Sequence, residues 1–412
     1  MKKLYGNAIV GQSGGPTAAI NATLAGVIRG ALASDAIKTL YGMRNGVEGL
    51  LKENIVNLSE IFADEGKIDI LEHTPAAALG SCRKKLPAVG ADGAEQTYAA
   101  LLAIFKKYDI RYFFYIGGND SMDTVAKLSE YTKGHDYEMC IMGVPKTIDN
   151  DLVLTDHTPG FGSAAKYIAV TMQEIIRDCA VYTTKAVTIV EIMGRDAGWL
   201  TAASAIGRVV NGIAPDYVYL PERDFDMDAF FEDVNAALER HPNVVIAVSE
   251  GVRFADGRYV CEGVDVGTTD VFGHKQLSGT GKALELAVRA KLGCKVRSVE
   301  LNISQRCAAH IASAQDIAES VAVGKAAVAA ASEGVTREMM TIVRENKCGE
   351  YAFSVGHADV SEIANKIKHV YPEFINERGN DVTDECCRYL LPLIKGEAMP
   401  TYTDGIPNFF VI

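Results

Sequence analysis

The chain lacks the sequence features of membrane-spanning, disulfide-framed and zinc-binding proteins. No window reaches the ~18 consecutive apolar residues that a bilayer-spanning helix needs, and the N-terminus carries no long apolar run of the kind found in signal peptides. Its nine cysteines form no CxxC pair, and its eight histidines form no HExxH motif. These absences argue against a secreted or membrane protein and favour a reducing, cytoplasmic location.

Positive charge is also scarce. The 41 Lys and Arg residues are outnumbered by 53 Asp and Glu residues, which gives a formal net charge of −12. Non-specific nucleic-acid binding needs a basic surface that displaces counterions, so nucleic acid is not an expected partner. A local basic pocket for a small phosphorylated molecule remains compatible with this balance. With 412 residues, 48% of them hydrophobic, the chain is long enough for two or three domains with large cores.

Five short apolar runs, each followed by a polar turn, organise the first two thirds of the chain. They cover residues 7–12, 111–116, 140–144, 186–192 and 243–248. Helical spacing of apolar residues follows the first two runs, so the pattern predicts an α/β protein with largely parallel strands. Ligands bind beyond the carboxyl ends of such strands, and the five turns are therefore expected to line one cleft or two facing clefts.

Three of these turns precede helices or carry charge. Residues 13–17 (SGGPT) and 117–121 (GGNDS) offer small residues and polar groups, which suit an anion at a helix N-terminus. Tight helix packing and N-capping are the alternative interpretations. In the third turn, residues 145–151 (PKTIDND), Lys146 provides a point charge for phosphate. Asp149 and Asp151 lie two residues apart, facing one side of an extended backbone, which suits magnesium-bound phosphate and a general base. A solvated loop is the alternative.

Later turns add weaker candidates. Residues 193–195 (MGR) and 249–251 (SEG) place an arginine and a glutamate where a phosphate and a sugar hydroxyl would be bound. Further arginines, at 83, 297 and 306, are candidate anion contacts, although charged side chains of this kind are more often simply solvated. The Ala-rich residues 308–332 predict a helix. Residues 351–357 and 385–391 predict strand or helix segments to which we assign no function.

Together and in this order, the turns resemble those of the phosphofructokinase family, most closely its pyrophosphate-dependent branch, over roughly residues 7–310. The resemblance implies two facing three-layer α/β domains with largely parallel sheets. Residues 1–160 plus about 306–360 would bind the phosphoryl donor, and residues 161–305 plus the C-terminal segment would bind the sugar phosphate. It also implies reversible phosphoryl transfer from pyrophosphate to the 1-hydroxyl of fructose 6-phosphate, with Mg²⁺, by an enzyme that is at least a dimer.

The family's motifs assign a role to each matching residue. Asp149 matches the general base, assisted by Lys146 and Arg83. Donor contacts are expected from Gly14, Gly15, Gly118, Asn119, Asp120, Ser121 and Lys146. Sugar-phosphate contacts are expected from Thr147, Asp149, Asp151, Met193, Gly194, Arg195, Glu250, Arg297 and Arg306, with Arg297 supplied by a neighbouring subunit. The metal ligands would be Asn119, Asp120 and Asp151.

Two residues decide the expected donor. ATP-dependent members carry glycine at the positions of Asp120 and Lys146. A carboxylate at 120 repels the α-phosphate of a nucleotide, whereas Lys146 pairs with pyrophosphate and stabilises charge on the leaving group. An ATP-dependent enzyme, a kinase for another sugar phosphate such as sedoheptulose 7-phosphate, and a non-catalytic regulatory subunit remain alternatives.

The sequence departs from the family pattern at four positions. Asn119 replaces a metal-binding Asp, and Ile303 replaces a His or Tyr of the sugar-phosphate loop. Ala186 replaces a cross-subunit arginine, for which the adjacent Lys185 is a candidate substitute. Ala25 replaces an arginine of the bacterial nucleotide-effector site, so we expect no activation by ADP through that site.

Overall fold

The computed structural model describes residues 3–263 and 279–412. Its strands are β1 Gly6–Gln12, β2 Ile37–Met43, β3 Ile55–Asn57, β4 Ile110–Gly117, β5 Cys140–Pro145, β6 Ala186–Ile192, β7 Tyr217–Tyr219, β8 Asn243–Ser249, β9 Lys295–Glu300, β10 Ala312–Ser313, β11 Glu338–Lys347, β12 Glu350–Asp359, β13 Glu397–Ala398, β14 Tyr402–Thr403 and β15 Ile406–Pro407. Its helices are α1 Ile20–Leu32, α2 Gly46–Leu50, α3 Leu58–Ile61, α4 Glu65–Glu72, α5 Ala94–Lys107, α6 Asn119–Lys133, α7 Phe161–Cys179, α8 Trp199–Ala203, α9 Arg208–Asn211, α10 Met227–Arg240, α11 Thr280–Leu292, α12 Ser304–Cys307, α13 Ala314–Ser332 and α14 Asp384–Leu390.

The larger sheet has seven strands in the order β12-β11-β5-β4-β1-β2-β3. Its inner strands run parallel, and the edge strands β3 and β12 pair antiparallel with their neighbours. Alternate residues of β1 enter different cores: Ala8 and Val10 pack with α1 and α13, and Ile9 packs with α5 and α6. Helices therefore cover both faces, which is why these strands are continuously apolar.

The smaller sheet has four parallel strands in the order β7-β8-β6-β9. Val190 and Ile192 of β6 pack towards α7, α8 and α14, whereas Val187 and Ile189 pack towards α10 and α11. This sheet is thus also the middle of three layers. The prediction of an α/β fold with two three-layer units and largely parallel sheets is confirmed.

The helix predicted for the Ala-rich residues 308–332 begins later than expected. Its N-cap is Ser313, whose side chain accepts a hydrogen bond from the backbone N–H of Asp316. Residues 312–313 instead form β10, which pairs antiparallel with β13. Residues 309–311 form a short 3-10 helix, so the prediction of one continuous helix was wrong before Ala314, because alanine content does not reveal a cap or a short strand pairing.

Within the described residues, no helix is both long and apolar enough to cross a membrane. All nine cysteines lie in this part of the chain, and each is a free thiol.

Candidate active site

The carboxyl ends of the two sheets face each other across a cleft of about 740 Å³. The larger sheet contributes residues 13–17 after β1, 118–121 after β4 and 146–151 after β5, and the smaller sheet contributes residues after β6, β8 and β9. The expectation that the five turns meet at the strand ends is therefore confirmed, and they share one cleft. Most of the predicted site residues line it: Gly14, Gly15, Arg83, Gly118, Asn119, Asp120, Ser121, Lys146, Thr147, Asp149, Asp151, Met193, Arg195, Glu250 and Arg306.

Lys146 joins the three turns of the larger sheet. Its backbone N–H donates to the carbonyl of Gly117 at 3.0 Å, and its Nζ donates to the carbonyl of Gly15 at 2.6 Å. Gly14 has a φ of +79°, and a Cβ added there would lie 3.3 Å from Lys146 Nζ. Burial lowers the pKa of Lys146 to about 8, although the carboxylates of Asp149 and Asp151 oppose the shift. The ammonium is therefore held at the junction of the candidate donor turns.

The two aspartates lie in the loop after β5. Thr147 Oγ1 accepts the backbone N–H of Asp149 at 3.1 Å. Asn150 between them has a φ of +55°, so the backbone is not extended as the sequence argument assumed, yet both carboxylates line the cleft. Burial raises the pKa of both groups, and the nearby Asp149 raises that of Asp151 further. These carboxyls can exchange protons closer to neutral pH than ordinary aspartates.

Glu250 and the turn after β6 form the opposite wall. Glu250 Oε1 accepts the backbone N–H of Gly194 at 3.3 Å. Gly194 itself does not line the cleft, but it contacts a residue that does. Burial, followed by the charge of Asp149, raises the pKa of Glu250 to about 8. The Nε of Arg195 is buried without a hydrogen-bond partner in the described structure. Gly251 packs directly on Arg195, where an added Cβ would lie only 1.9 Å from the Arg195 carbonyl oxygen.

The segment after β9 supplies one predicted residue and one that sequence reasoning missed. Arg306 reaches towards the first turn, where a Cβ on Gly15 would lie 3.5 Å from its guanidinium. Gln305 is buried, and its Oε1 accepts the backbone N–H of Met193 at 3.1 Å. Gln305 thus holds the turn after β6 from a distant part of the sequence, and only its position beside Arg306 signalled its importance.

Two residues at the start of α6 have polar partners of their own. Asp120 Oδ1 forms an ion pair with Lys85 at 2.9 Å. Asn119 Oδ1 accepts the backbone N–H of Asn365 at 2.5 Å, and Asn119 Nδ2 donates to the carbonyl of Lys366 at 2.7 Å. Asn119 Oδ1 accepts only one of these hydrogen bonds, so a metal-binding role would use its second lone pair. Asn365 and Ile367, from a region to which the sequence assigned no function, also line the cleft.

Arg297 is the predicted residue that the fold keeps away from the cleft of its own chain. It lies on β9 and borders a second cavity of about 150 Å³, with Asp178 Oδ2 4.0 Å from its guanidinium. Ala186 borders the same cavity. The two positions matched to cross-subunit arginines in the family therefore share one surface, remote from the residues that a single chain brings together.

The cleft suits a metal ion that is held partly by its substrate. Nowhere in residues 3–263 and 279–412 do three or more His, Cys, Asp or Glu side chains form a group that could hold a metal. Mg²⁺ commonly binds through one or two carboxylates together with substrate phosphates and water. Asp151 Oδ1 is buried and has no hydrogen-bond partner in the described structure, so it is the oxygen best placed for that role.

Comparisons with known proteins extend the similarity along the whole chain. The phosphofructokinase family profile matches residues 7–331. A pyrophosphate–fructose 6-phosphate 1-phosphotransferase of Halomonas elongata is 41% identical over 405 residues, which cover 98% of this chain and 95% of that protein. The enzyme of the same name from Xanthomonas campestris pv. campestris is 42% identical over 407 residues, with coverages of 98% and 95%. The crystal structure of a pyrophosphate-dependent phosphofructokinase from Nitrosospira multiformis matches with a TM-score of 0.88 at 38% identity, covering 98% of this chain and 95% of that one.

Proposed function

The chain belongs to the phosphofructokinase family, and from this premise we propose that it reversibly transfers a phosphoryl group from pyrophosphate to the 1-hydroxyl of fructose 6-phosphate. The products are fructose 1,6-bisphosphate and phosphate. One observation of the structure supports this best: the buried Lys146 ammonium lies where the donor turns meet, beside the carboxylate of Asp149. Phosphoryl transfer from pyrophosphate needs a positive charge beside the two phosphoryl groups and a base within reach of the acceptor hydroxyl.

Asp149 is the proposed general base. It takes the proton of the sugar 1-hydroxyl as that oxygen attacks the transferring phosphorus, and in the reverse direction it returns the proton to the same oxygen. Burial raises the pKa of Asp149, which makes the carboxylate a stronger base than an exposed aspartate. Lys146 remains opposite the leaving phosphate, where its charge stabilises the developing negative charge. Arg83, which also lines the cleft, assists the transferring group.

The residues that line the cleft divide into a proposed donor subsite and a proposed acceptor subsite. We assign pyrophosphate to the turns of the larger sheet, with Gly14, Gly15, Gly118, Asn119, Asp120, Ser121 and Lys146. We assign fructose 6-phosphate to Thr147, Asp149, Asp151, Met193, Gly194, Arg195, Glu250 and Arg306. This assignment is supported by where the residues lie: the donor group follows strands of the larger sheet, and Met193 to Arg195, Glu250 and Arg306 follow strands of the smaller sheet. The loop after β5 of the larger sheet adds Thr147, Asp149 and Asp151 to the acceptor group. We keep the domain boundaries proposed from the sequence, and the place of β11 and β12 in the larger sheet supports their assignment to the donor unit.

A second subunit would complete the sugar-phosphate subsite. Proteins of this family are generally oligomeric. We propose at least a dimer in which Arg297 reaches the 6-phosphate bound by a neighbouring chain. The proposal is supported by the position of Arg297 and Ala186 on one surface outside the cleft of their own chain.

The metal ion is proposed to be Mg²⁺. Enzymes of this family generally need a divalent metal. Asp151 would hold it together with donor oxygens, and the ion would neutralise charge on the phosphoryl oxygens. We also propose a cytoplasmic location, on the sequence argument from cysteine usage alone.

The first test is steady-state phosphorylation of fructose 6-phosphate with magnesium, with pyrophosphate and ATP compared at equal concentration. We expect turnover with pyrophosphate and little with ATP. Asp120→Gly should raise the use of ATP relative to pyrophosphate, whereas Asp136→Gly, which removes an exposed carboxylate outside the cleft, should not. Turnover with ATP alone would overturn the donor assignment. Absence of turnover with either donor would redirect the search to another sugar phosphate or to a non-catalytic subunit.

A further inference from the structure

Residues 365–368, here called the strap, connect the donor turn to the catalytic loop. At one end the side-chain amide of Asn119 is hydrogen-bonded to the backbone of residues 365 and 366, at 2.5 and 2.7 Å. At the other end the backbone N–H of Lys368 donates to the carbonyl of Asp151 at 2.8 Å. The strap therefore spans from the first residue of α6 to the loop that carries both proposed catalytic aspartates.

Lys368 anchors the strap in the interior. Its side chain is buried, and Nζ donates to Asn150 Oδ1 at 3.1 Å and to the carbonyl of Asp156 at 2.7 Å. Its own carbonyl accepts the indole N–H of Trp199 at 3.0 Å. These bonds tie the strap to the loop after β5 and to the first residue of α8. The strap is therefore a fixed wall of the cleft and not a free loop.

The strap faces the donor turn. Asn365 and Ile367 line the cleft, and Asn365 Nδ2 lies 3.4 Å from Asp123 Oδ1, one turn further along α6. Asp120 lies between these contacts on the same helix. A donor that binds at the start of α6 and extends outward therefore meets the strap.

Charge alone gives weak exclusion of longer donors at this turn. The ammonium of Lys85 lies 2.9 Å from Asp120 Oδ1, and this pair is partly exposed to solvent. A carboxylate that is paired in this way repels a third phosphate less than an isolated one. A further, steric element is needed if the site is to reject a nucleotide reliably.

We propose that the strap sets the maximum length of the phosphoryl donor. It admits an unsubstituted diphosphate and obstructs a donor with a third phosphoryl group, whether or not a nucleoside is attached. Ile367 and Asn365 are the side chains that provide the obstruction. This inference rests on the proposed function, because it concerns the donor subsite of the same reaction.

The probes are inorganic tripolyphosphate and ATP, each tested as a donor and as a competitive inhibitor against pyrophosphate. Ile367→Ala truncates a side chain that is 41% exposed and leaves the backbone anchors in place. Asn365→Gly removes the second side chain and retains the φ of +61° that residue 365 adopts. We expect the inhibition constant of tripolyphosphate to fall at least tenfold in both variants, with the KM for pyrophosphate within about threefold of the parent value. Ile406→Ala, an exposed isoleucine outside the cleft, is the matched control.

The outcomes separate this inference from the function on which it rests. If the parent enzyme turns over pyrophosphate but binds tripolyphosphate equally well, the strap does not limit donor length. Equal changes for pyrophosphate and tripolyphosphate in the variants would also overturn the proposal, since they would indicate a general disturbance of the donor turn. No turnover of pyrophosphate by the parent enzyme would instead overturn the proposed function. Thermal unfolding of each variant establishes that the comparison is made on folded protein.

Discussion

Replacing Gly251 by alanine is expected to disable the sugar side of the cleft without removing any group that contacts the substrate. A Cβ at this position would lie 1.9 Å from the carbonyl oxygen of Arg195. Ordinary van der Waals contact starts at 3.4 Å, so the Arg195 backbone must retreat by about 1.5 Å, the difference between these distances. The obstacle is backbone and cannot rotate away, and the displacement therefore moves the Arg195 guanidinium that is assigned to the sugar phosphate.

The size of the effect follows from this displacement. A misplacement of about 1 Å in a positioned group costs roughly 100-fold in rate, so kcat/KM for fructose 6-phosphate should fall by about two orders of magnitude. Overpacking should also lower the free energy of unfolding by ~1–3 kcal/mol. The donor turns belong to the other sheet, and the KM for pyrophosphate should stay within about twofold.

Steady-state kinetics with each substrate varied in turn, together with urea unfolding, measure these quantities. Gly134→Ala is the matched control, because a Cβ there meets its nearest atom at 3.8 Å. A folded Gly251→Ala enzyme with the parent kcat/KM for fructose 6-phosphate would refute the reasoning, since the position of Arg195 would then not matter to the reaction.

Burial alone lowers the pKa of His157, but the carboxylates of Glu319 and Asp156 raise it to about 8. The stabilisation by protonated His157 is complete below its unfolded pKa of about 6.5 and is lost as pH rises through 8. The free energy of unfolding should therefore fall by about 2 kcal/mol across that window in urea titrations, and His157→Gln should remove this part of the dependence. With Lys146 deprotonating near pH 8, kcat/KM for pyrophosphate should decline above that pH. Lys146→Arg should move this limb upward, and an unmoved limb would assign it to another group. Lys368→Met removes the Nζ that donates to the buried Asn150 Oδ1 at 3.1 Å, so the free energy of unfolding should drop by about 1–3 kcal/mol in denaturant unfolding.

Long strands buried on both faces could be located from the sequence, whereas β11, which turns polar along its length, could not. β4 is continuously apolar because helices cover both of its faces, and it could be located almost to the residue. β11 was missed because only Glu338 and Met339 pair with β5. Within the described residues, the rest of β11 pairs only with β12, in a hairpin. Its last residues, up to Lys347, are charged or polar, and they obscure the apolar pattern of the strand.

The residues of the candidate site likewise divide into those that the sequence could predict and those that it could not. Residues in the turns directly after apolar strands, such as Lys146 and Glu250, could be predicted to line the cleft because a parallel sheet brings its strand ends together. The strap could not be, since Asn365 is 246 residues from its partner Asn119 and no local pattern links them. Gln305 is a second example: its contact with Met193 spans 112 residues. Contacts of this kind depend on tertiary packing that a single sequence does not encode as a motif.

The strand order of the larger sheet has a consequence during synthesis of the chain. β5 ends at residue 145, and the strand that covers its outer edge begins at residue 338. At ~5–20 residues per second the ribosome needs roughly 10–40 s to make the intervening residues. For that time the nascent chain presents β5, an apolar strand (CIMGVP), as an unpaired edge. Such an edge can pair with another nascent chain, so we expect aggregation to compete with folding during the interval before β11 emerges.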